Sequence, residues 1–265
     1  MLTLIRGAGD IASGIALRLC RAGFRVVMTE IARPTTIRRT VAFSDAVING
    51  EQTVEDVTAR LAGSCEEALQ LLDQCQVSVL VDPDCNCLSE LKPDALVDAI
   101  LAKRNLGTAM TDAPIVVGVG PGFTAGVDCH AVVETMRGHT LGRVYYEGSA
   151  LPNTNVPGLI GGFAGERVLR APADGVFLSA RHIGDHVDVG ETVGSVAGVP
   201  MCATISGVLR GLLADGVKVR QGMKAGDVDP RGEAEYCRLV SDKALSVAGG
   251  VLEAILHFEA LDHGK

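Results

Sequence analysis

Apolar positions change period twice within the first thirty residues. MLTLI is a short apolar run, and from Ile11 the positions Ile11, Ile15, Leu19 and Phe24 fall at helical spacing. FRVVMTEI then resumes as a β-rich run that closes at Glu30. Gly23, free to adopt positive φ, marks the predicted helix end. The pattern predicts one βαβ unit, which prefers a right-handed crossover and a parallel strand pair.

The alternation continues more loosely. VEDVTARLA and CEEALQLLDQ read as helices, and VSVLVDP as a buried strand ending at Asp82. PDALVDAILAKRN reads as a helix with Pro93 near its first turn, and DAPIVVGVG as another apolar strand. VDCHAVVETMRG reads as a helix closed by Gly138, and GRVYYEG as a last strand. Strands alternating with helices predict a Rossmann-like, doubly wound parallel sheet over residues 1–147.

Residues 148–166, GSALPNTNVPGLIGGFAGE, are rich in Gly, Pro and Asn and read as a linker. Beyond them lies a repeat with an offset of 32 residues. Ala171, Gly175, Val176, Gly184, Val187, Gly190 and Gly194 recur as Ala203, Gly207, Val208, Gly216, Val219, Gly222 and Gly226. Short strands joined by glycine turns and repeated once predict two interlocking β layers over residues 167–230. These halves resemble the lipoyl/biotinyl barrel-sandwich. The hairpin between them, SVAGVPMCAT, lacks the lysine that carries the group, so no covalent biotin or lipoate is expected. Residues 231–265 read as mostly helical and amphipathic, with Leu245, Leu252, Ile255 and Leu256 as the apolar stripe, packed on the body or across a homo-oligomer. The predicted class is thus α/β, a Rossmann-like sheet followed by a barrel-sandwich β module and a C-terminal helix.

Composition narrows the partners. A formal charge of −8 argues against nucleic-acid and anionic-membrane surfaces, both of which select basic patches. No apolar run reads as long enough to span a bilayer, and no signal peptide is evident. Eight cysteines scattered without a regular framework point to reduced thiols in a cytoplasmic protein.

Two glycine loops carry the candidate chemistry. Gly7, Ala8, Gly9, Asp10, Ile11 and Ala12 fit G-x-G-x-x-G/A between a strand and a helix. Gly7 permits the tight turn, Gly9 admits a pyrophosphate, and Ala12 lets the helix approach the sheet. Glu30, closing the next strand, stands where a carboxylate receives a ribose hydroxyl. Asp10 is unusual beside an anion site and is expected to cap the helix or to pair with Arg6. The second loop, GVGPGFTAG, offers Gly120, Gly122 and Thr124 as a concave nest of amides and a hydroxyl, with Lys103, Arg104 and Asn105 bringing positive charge. Both loops follow parallel strands and are expected to face one crevice at the carboxyl edge. Dinucleotide (NAD(P)) or pterin ligands fit such a site.

Cys85, Cys87 and Cys129 offer thiols, but C-x-C lacks the spacing of a zinc knuckle, and no metal site is assigned. His139, His182 and His186 read as turn residues, and no catalytic triad or carboxylate pair names a reaction.

Several phrases together resemble one family. RGAGDIASGIALRLCRAGFRVVMTEIARPTTIRRTVAFSDAV, DAILAKRNLG, GVGPGFTAGVDCHAVVETMRGHTLGRV, GSALPNTNVPG and RVLRAPADGVF are similar to the accessory proteins of selenium-dependent molybdenum hydroxylases. The resemblance implies a maturation role, with a molybdopterin-type cofactor as ligand and a client molybdenum hydroxylase as partner. It implies no catalytic residue. The alternative is an NAD(P)-dependent oxidoreductase using the first loop and Glu30.

Overall fold

A computed structural model describes residues 1–74, 76–154 and 158–263. The chain divides into two compact units. Unit 1 holds Met1–Ala32, Ala42–Thr154 and Val240–Lys265, and unit 2 holds Arg33–Val41 and Asn155–Leu239.

Unit 1 begins with β1 (Leu2–Arg6), α1 (Asp10–Arg21) and β2 (Arg25–Glu30). It continues through α2 (Ala46–Asn49), β3 (Glu51–Val54), β4 (Val57–Ala62), α3 (Cys65–Leu71), β5 (Val77–Val81) and α4 (Leu88–Leu91). It then forms β6 (Ala95–Asp98), β7 (Ile115–Val119), β8 (Ala131–Val133), β9 (Val144–Tyr145) and, after unit 2 has been built, α5 (Asp242–His263). The strands form one nine-stranded sheet in the order β3-β4-β5-β2-β1-β6-β7-β8-β9. Its centre, β4 to β8, is parallel, while β3 and β9 pair antiparallel at the two edges.

This sheet corrects the doubly wound expectation. The segment read as a helix from Pro93 contains β6, all four of whose residues are buried. It cannot run on as a helix, because Leu101 and Lys103 are left-handed (φ 61° and 63°). The segment read as a helix after Val127 contains β8, which is buried throughout and parallel to β7. VEDVTARLA is instead the turn and second strand of the β3–β4 hairpin. A strand covered on both faces is apolar at consecutive positions, so its spacing mimics a helix. The connections β6–β7 and β7–β8 therefore contain no α-helix, and the sheet is mixed.

Helix α5 supplies cover that those connections lack. It packs on α1 and against β7, β8 and β9. Ala244, Val247, Ala248, Val251, Ala254 and Ile255 are fully or almost fully buried, whereas Leu256 of the expected stripe is 46% exposed. Gly14 of α1 makes room for this packing, since a Cβ there would lie 2.8 Å from the Ala244 methyl. The span Asp242–Leu261 is long and apolar enough to cross a membrane by length and composition (mean hydropathy 1.5), which corrects the expectation that no such run exists. Its apolar stripe is engaged inside unit 1. α3 is capped locally: Ser64 Oγ accepts the Glu67 N–H and Glu67 accepts the Gly63 N–H.

Unit 2 contains β10 (Val168–Arg170), β11 (Gly175–Ser179), β12 (His186–Val187), β13 (Thr192–Val196), β14 (Val199–Cys202), β15 (Gly207–Leu212), β16 (Lys218–Val219) and β17 (Lys224–Asp229). They form two four-stranded antiparallel sheets, β10-β17-β15-β12 and β14-β13-β11-β16. The copies of the repeat exchange strands: Gly175 pairs with Val219 of the second copy, and Gly207 pairs with Val187 of the first. Phe177, Val193, Leu209, Leu212, Val228 and their neighbours form the core between them.

An appended barrel-sandwich over residues 167–230 is corrected as well. The unit recruits residues from far upstream, with Ile37 packed against the core, its carbonyl accepting the Leu212 N–H, and Arg39 donating to the Leu212 carbonyl. The architecture is a mixed α/β chain of two discontinuous units. Of the expected linker, residues 155–157 lie outside the described residues, as do 264–265 of the C-terminal segment.

Candidate functional site

The carboxyl ends of the parallel strands in unit 1 gather most of the chemistry-bearing residues. Strand order turns at β1: β2 and β5 lie on one side, β6 and β7 on the other. Open α/β sheets bind ligands at such a turning point.

The first glycine loop emerges there. Gly7 has φ 93°, and its N–H is donated to the Thr29 carbonyl. The Ala8 N–H is donated to Glu30 Oε2 (3.0 Å), while Glu30 Oε1 accepts the Ile31 N–H (2.8 Å). Burial pushes the Glu30 carboxyl above the ordinary glutamate value, opposed by these two amides. Each oxygen keeps a second lone pair, so a hydroxyl acceptor role stays chemically open. The Ala8 carbonyl accepts from Ser13 Oγ and from the Ser44 N–H, and Ser13 Oγ accepts the Phe43 N–H, which fixes the loop from behind. Gly9 is the N-cap of α1, so the amides of the opening turn, including those of Asp10, Ile11 and Ala12, have no intrahelical acceptor. Arg6 does not pair with Asp10.

Arg6 instead builds a buried network that sequence reading missed. Its Nη1 donates to Asp98 Oδ2 (3.2 Å) and to Thr108 Oγ1, and Thr108 donates to the same Asp98 oxygen (2.6 Å). Asp98 Oδ1 accepts the Ile100 N–H, and Asn105 holds Thr108 through its amide and carbonyl. Arg6, Asp98 and Thr108 are buried, and Arg6 Nε has no partner among the described residues. The available signal was an arginine inside an apolar strand and an aspartate closing another.

The second loop lies across the 99–105 segment from the first. A Cβ on Gly7 would approach Ala99 and Ile100 to 3.1 Å, and one on Gly122 would come within 2.5 Å of the Arg104 Cα. A Cβ on Gly120 would meet Thr135 Oγ1 at 2.9 Å and Leu101 at 3.5 Å. The two loops thus flank residues 99–105. The Gly120 N–H is donated to the Val133 carbonyl, and the Thr124 N–H to Asp128 Oδ2, while Thr124 Oγ1 meets Ser149 Oγ at 2.9 Å.

The thiols lie in the same core. Cys85 is left-handed (φ 59°), and Asp82 at the end of β5 accepts the Cys87 N–H (2.8 Å) and the Asn86 side-chain amide (3.1 Å). A hydrogen bond from Cys87 lowers the Cys85 thiol pKa, with the Arg6 charge acting in the same direction against burial. Cys87 is pushed up correspondingly, and burial raises Cys129 to about 11. His130 leads into β8 rather than a helix; its Nδ1 accepts the Val116 N–H, and burial lowers its pKa. Among the described residues no group of three or more His, Cys, Asp or Glu side chains is arranged to hold a metal ion. A cavity of about 630 Å³ is lined by α4 and the segments entering β6 and β7, including Lys92, Asp94 and Asp112.

No family model matches the chain. It is 55% identical over 255 residues to the uncharacterized protein YqeB of Escherichia coli (strain K12), covering 96% of this chain and 47% of that protein. The chain therefore spans about half the length of the curated relative it matches. Solved structures with some likeness include an aspartoacylase family protein from Mesorhizobium loti, at TM-score 0.28 and 12% identity over 86% of this chain and 84% of that one. A succinylglutamate desuccinylase from Silicibacter sp. has TM-score 0.26 and 14% identity, with the same coverage of both chains. Likeness at this level carries no argument for activity here. None of these matches is described as a molybdenum-hydroxylase accessory protein, so they lend no support to the family suggested by sequence phrases. That kinship is withdrawn, together with the maturation role, the client hydroxylase and the oxidoreductase alternative.

Proposed function

We propose that unit 1 binds a small phosphate-bearing molecule, with its anionic group received by the opening turn of α1. The observation that carries this reading is the junction of β1 and α1. A helix of 12 residues starts after a three-residue turn from a central parallel strand, beside the turning point of strand order, with glycine as its N-cap. Such a terminus presents amides and the positive end of the helix dipole to an anion. The buried Arg6–Asp98 pair lies at the same edge, its charges largely balancing each other. In this reading Gly7 to Ala12 contact the anion, Glu30 sets the loop through Ala8, and Gly120, Gly122 and Thr124 form a second wall. A pyrophosphate-bearing ligand such as a dinucleotide is the class that suits two glycine loops. The free thiols suit a reducing, cytoplasmic setting.

Calorimetric titration with inorganic pyrophosphate and with a dinucleotide, at constant ionic strength, tests this. The native chain should bind, and Gly9→Val should weaken binding at least tenfold while its far-ultraviolet circular dichroism stays native. Undiminished affinity in Gly9→Val, or no binding by the native chain, overturns the reading.

A further inference from the structure

The loop after β5 brings two thiols into contact. Cys85 and Cys87 are two residues apart, and both pack in the apolar core of unit 1. Side chains two apart point to nearly opposite sides of a helix, so ordinary helical winding would separate them. Here the chain turns through a left-handed residue, Cys85 at φ 59°, whose N–H is donated to the Asp82 carbonyl (3.2 Å). A residue other than glycine is strained in this conformation, and such strain gathers at functional sites. Asp82 holds Cys87 twice, accepting its backbone N–H (2.8 Å) and contacting its thiol. The same Cys87 thiol makes the hydrogen bond to the Cys85 sulfur. Cα atoms two apart in such a turn are about 5–6 Å from one another, inside the span of about 4.4–6.8 Å that a disulfide bridges.

The two sulfurs are unequal. The hydrogen bond from Cys87 favours a thiolate at Cys85, and the Arg6 charge adds to it; together they outweigh burial and the charges of Asp82 and Asp112. The same contact keeps Cys87 protonated. A thiolate beside a protonated thiol pairs an attacking sulfur with a resolving one. Cys129, in the same core, is fully buried and its pKa is raised by that burial, which leaves it inert. Cys85 and Cys87 keep 8% and 6% of their surface exposed. So little surface admits an oxidant of a few atoms and excludes a bulky disulfide.

We propose that Cys85 and Cys87 form an oxidation site for hydrogen peroxide or a small hydroperoxide, closing a reversible disulfide. The Cys85 thiolate attacks a peroxide oxygen and the O–O bond breaks. The departing hydroxide takes a proton from solvent, leaving Cys85 as a sulfenic acid. The Cys87 sulfur then attacks the Cys85 sulfur, and the expelled hydroxide leaves as water with the Cys87 proton. Two thiols give up two electrons, and one peroxide accepts them. In a reducing setting the bond is transient, reopened by exchange with free thiols. The site draws on no residue of either glycine loop and is independent of the anion reading above.

The test treats the native chain with hydrogen peroxide, blocks the remaining thiols with iodoacetamide and maps the digest by mass spectrometry. The peptide bearing Cys85 and Cys87 should lose two hydrogens, escape alkylation and return to its reduced mass with dithiothreitol. Cys87→Ser removes the resolving sulfur, so dimedone should trap a sulfenic acid on Cys85. In Cys85→Ser, Cys87 should oxidise at least roughly tenfold more slowly than Cys85 does in the native chain. Mapping of the native chain needs no variant, so a folding defect in either serine protein leaves it decisive. Alkylation of both Cys85 and Cys87 after peroxide, a disulfide from Cys85 to any other cysteine, or dimedone on Cys87 in place of Cys85 overturns the proposal.

Discussion

Two adjacent glycines in α5 allow the docking of that helix to be tested with one methyl group at a time. A Cβ added at Gly249 meets no heavy atom within 4 Å. Gly249→Ala should therefore stabilise unit 1 by roughly 0.5–1 kcal/mol, the gain of alanine over glycine inside a helix. A Cβ added at Gly250 would fall 2.2 Å from the Gly142 carbonyl oxygen and 2.8 Å from a Val133 methyl. The oxygen belongs to backbone that is itself braced, since Gly142 has φ 77° and Ser246 Oγ donates to the neighbouring Leu141 carbonyl. Overpacking there costs about 1–3 kcal/mol, and because both variants share the helix-propensity gain, they should differ by that amount. Urea unfolding followed by far-ultraviolet circular dichroism measures the difference as a change in midpoint at constant slope. Equal midpoints for Gly249→Ala and Gly250→Ala would refute the packing of α5 against β8 and the turn before β9.

The Arg6 network gives a second expectation. Asp98→Ala leaves a buried guanidinium without its carboxylate and should cost about 3–5 kcal/mol, whereas Arg6→Met with Asp98→Leu should cost far less than the sum of the singles. Additive costs in that double-mutant cycle would remove the coupling. A third concerns pH. Burial raises the Glu30 pKa in the folded chain above the ordinary glutamate value. Its contribution is thus fully present below the unfolded value and lost as pH rises through the folded one. Glu30→Gln should flatten that decline, read as urea midpoints over a pH series. An unchanged slope would show that another group is responsible.

The parts of the fold legible in sequence were those whose pattern is local. The run from Leu2 to Glu30 shows its strand, turn, helix and strand because each buried face repeats within a few residues. The repeat of unit 2 showed itself through glycines at fixed offset, two of which, Gly175 and Gly207, have φ of 151° and 154°. Central strands were the failure. Leu96, Val97, Ile100 and Leu101 have helix-like spacing, and only pairing with β1 and β7 decides for strand. The charge networks were hidden for a different reason. Arg6 and Asp98 are 92 positions apart and Arg38 and Asp227 are 189 apart, so neither pair leaves a pattern in any window. The glycine loops were readable as loops, but the destinations of their amides, Glu30 for Ala8 and Asp128 for Thr124, depend on tertiary placement.

The order in which this chain is made matters because unit 1 closes on a helix that follows unit 2 in sequence. Translation delivers β1 to β9 first and the strands of unit 2 next, and only then α5, whose buried face covers α1 and the β7–β9 end of the sheet. While the ribosome is still reading unit 2, that apolar surface is without its cover and exposed to aggregation. Long-range closure of this kind slows folding, since the chain must bring α1 and α5 together across more than two hundred residues. Emergence of α5, rather than emergence of the first sheet, is then the moment at which unit 1 becomes stable.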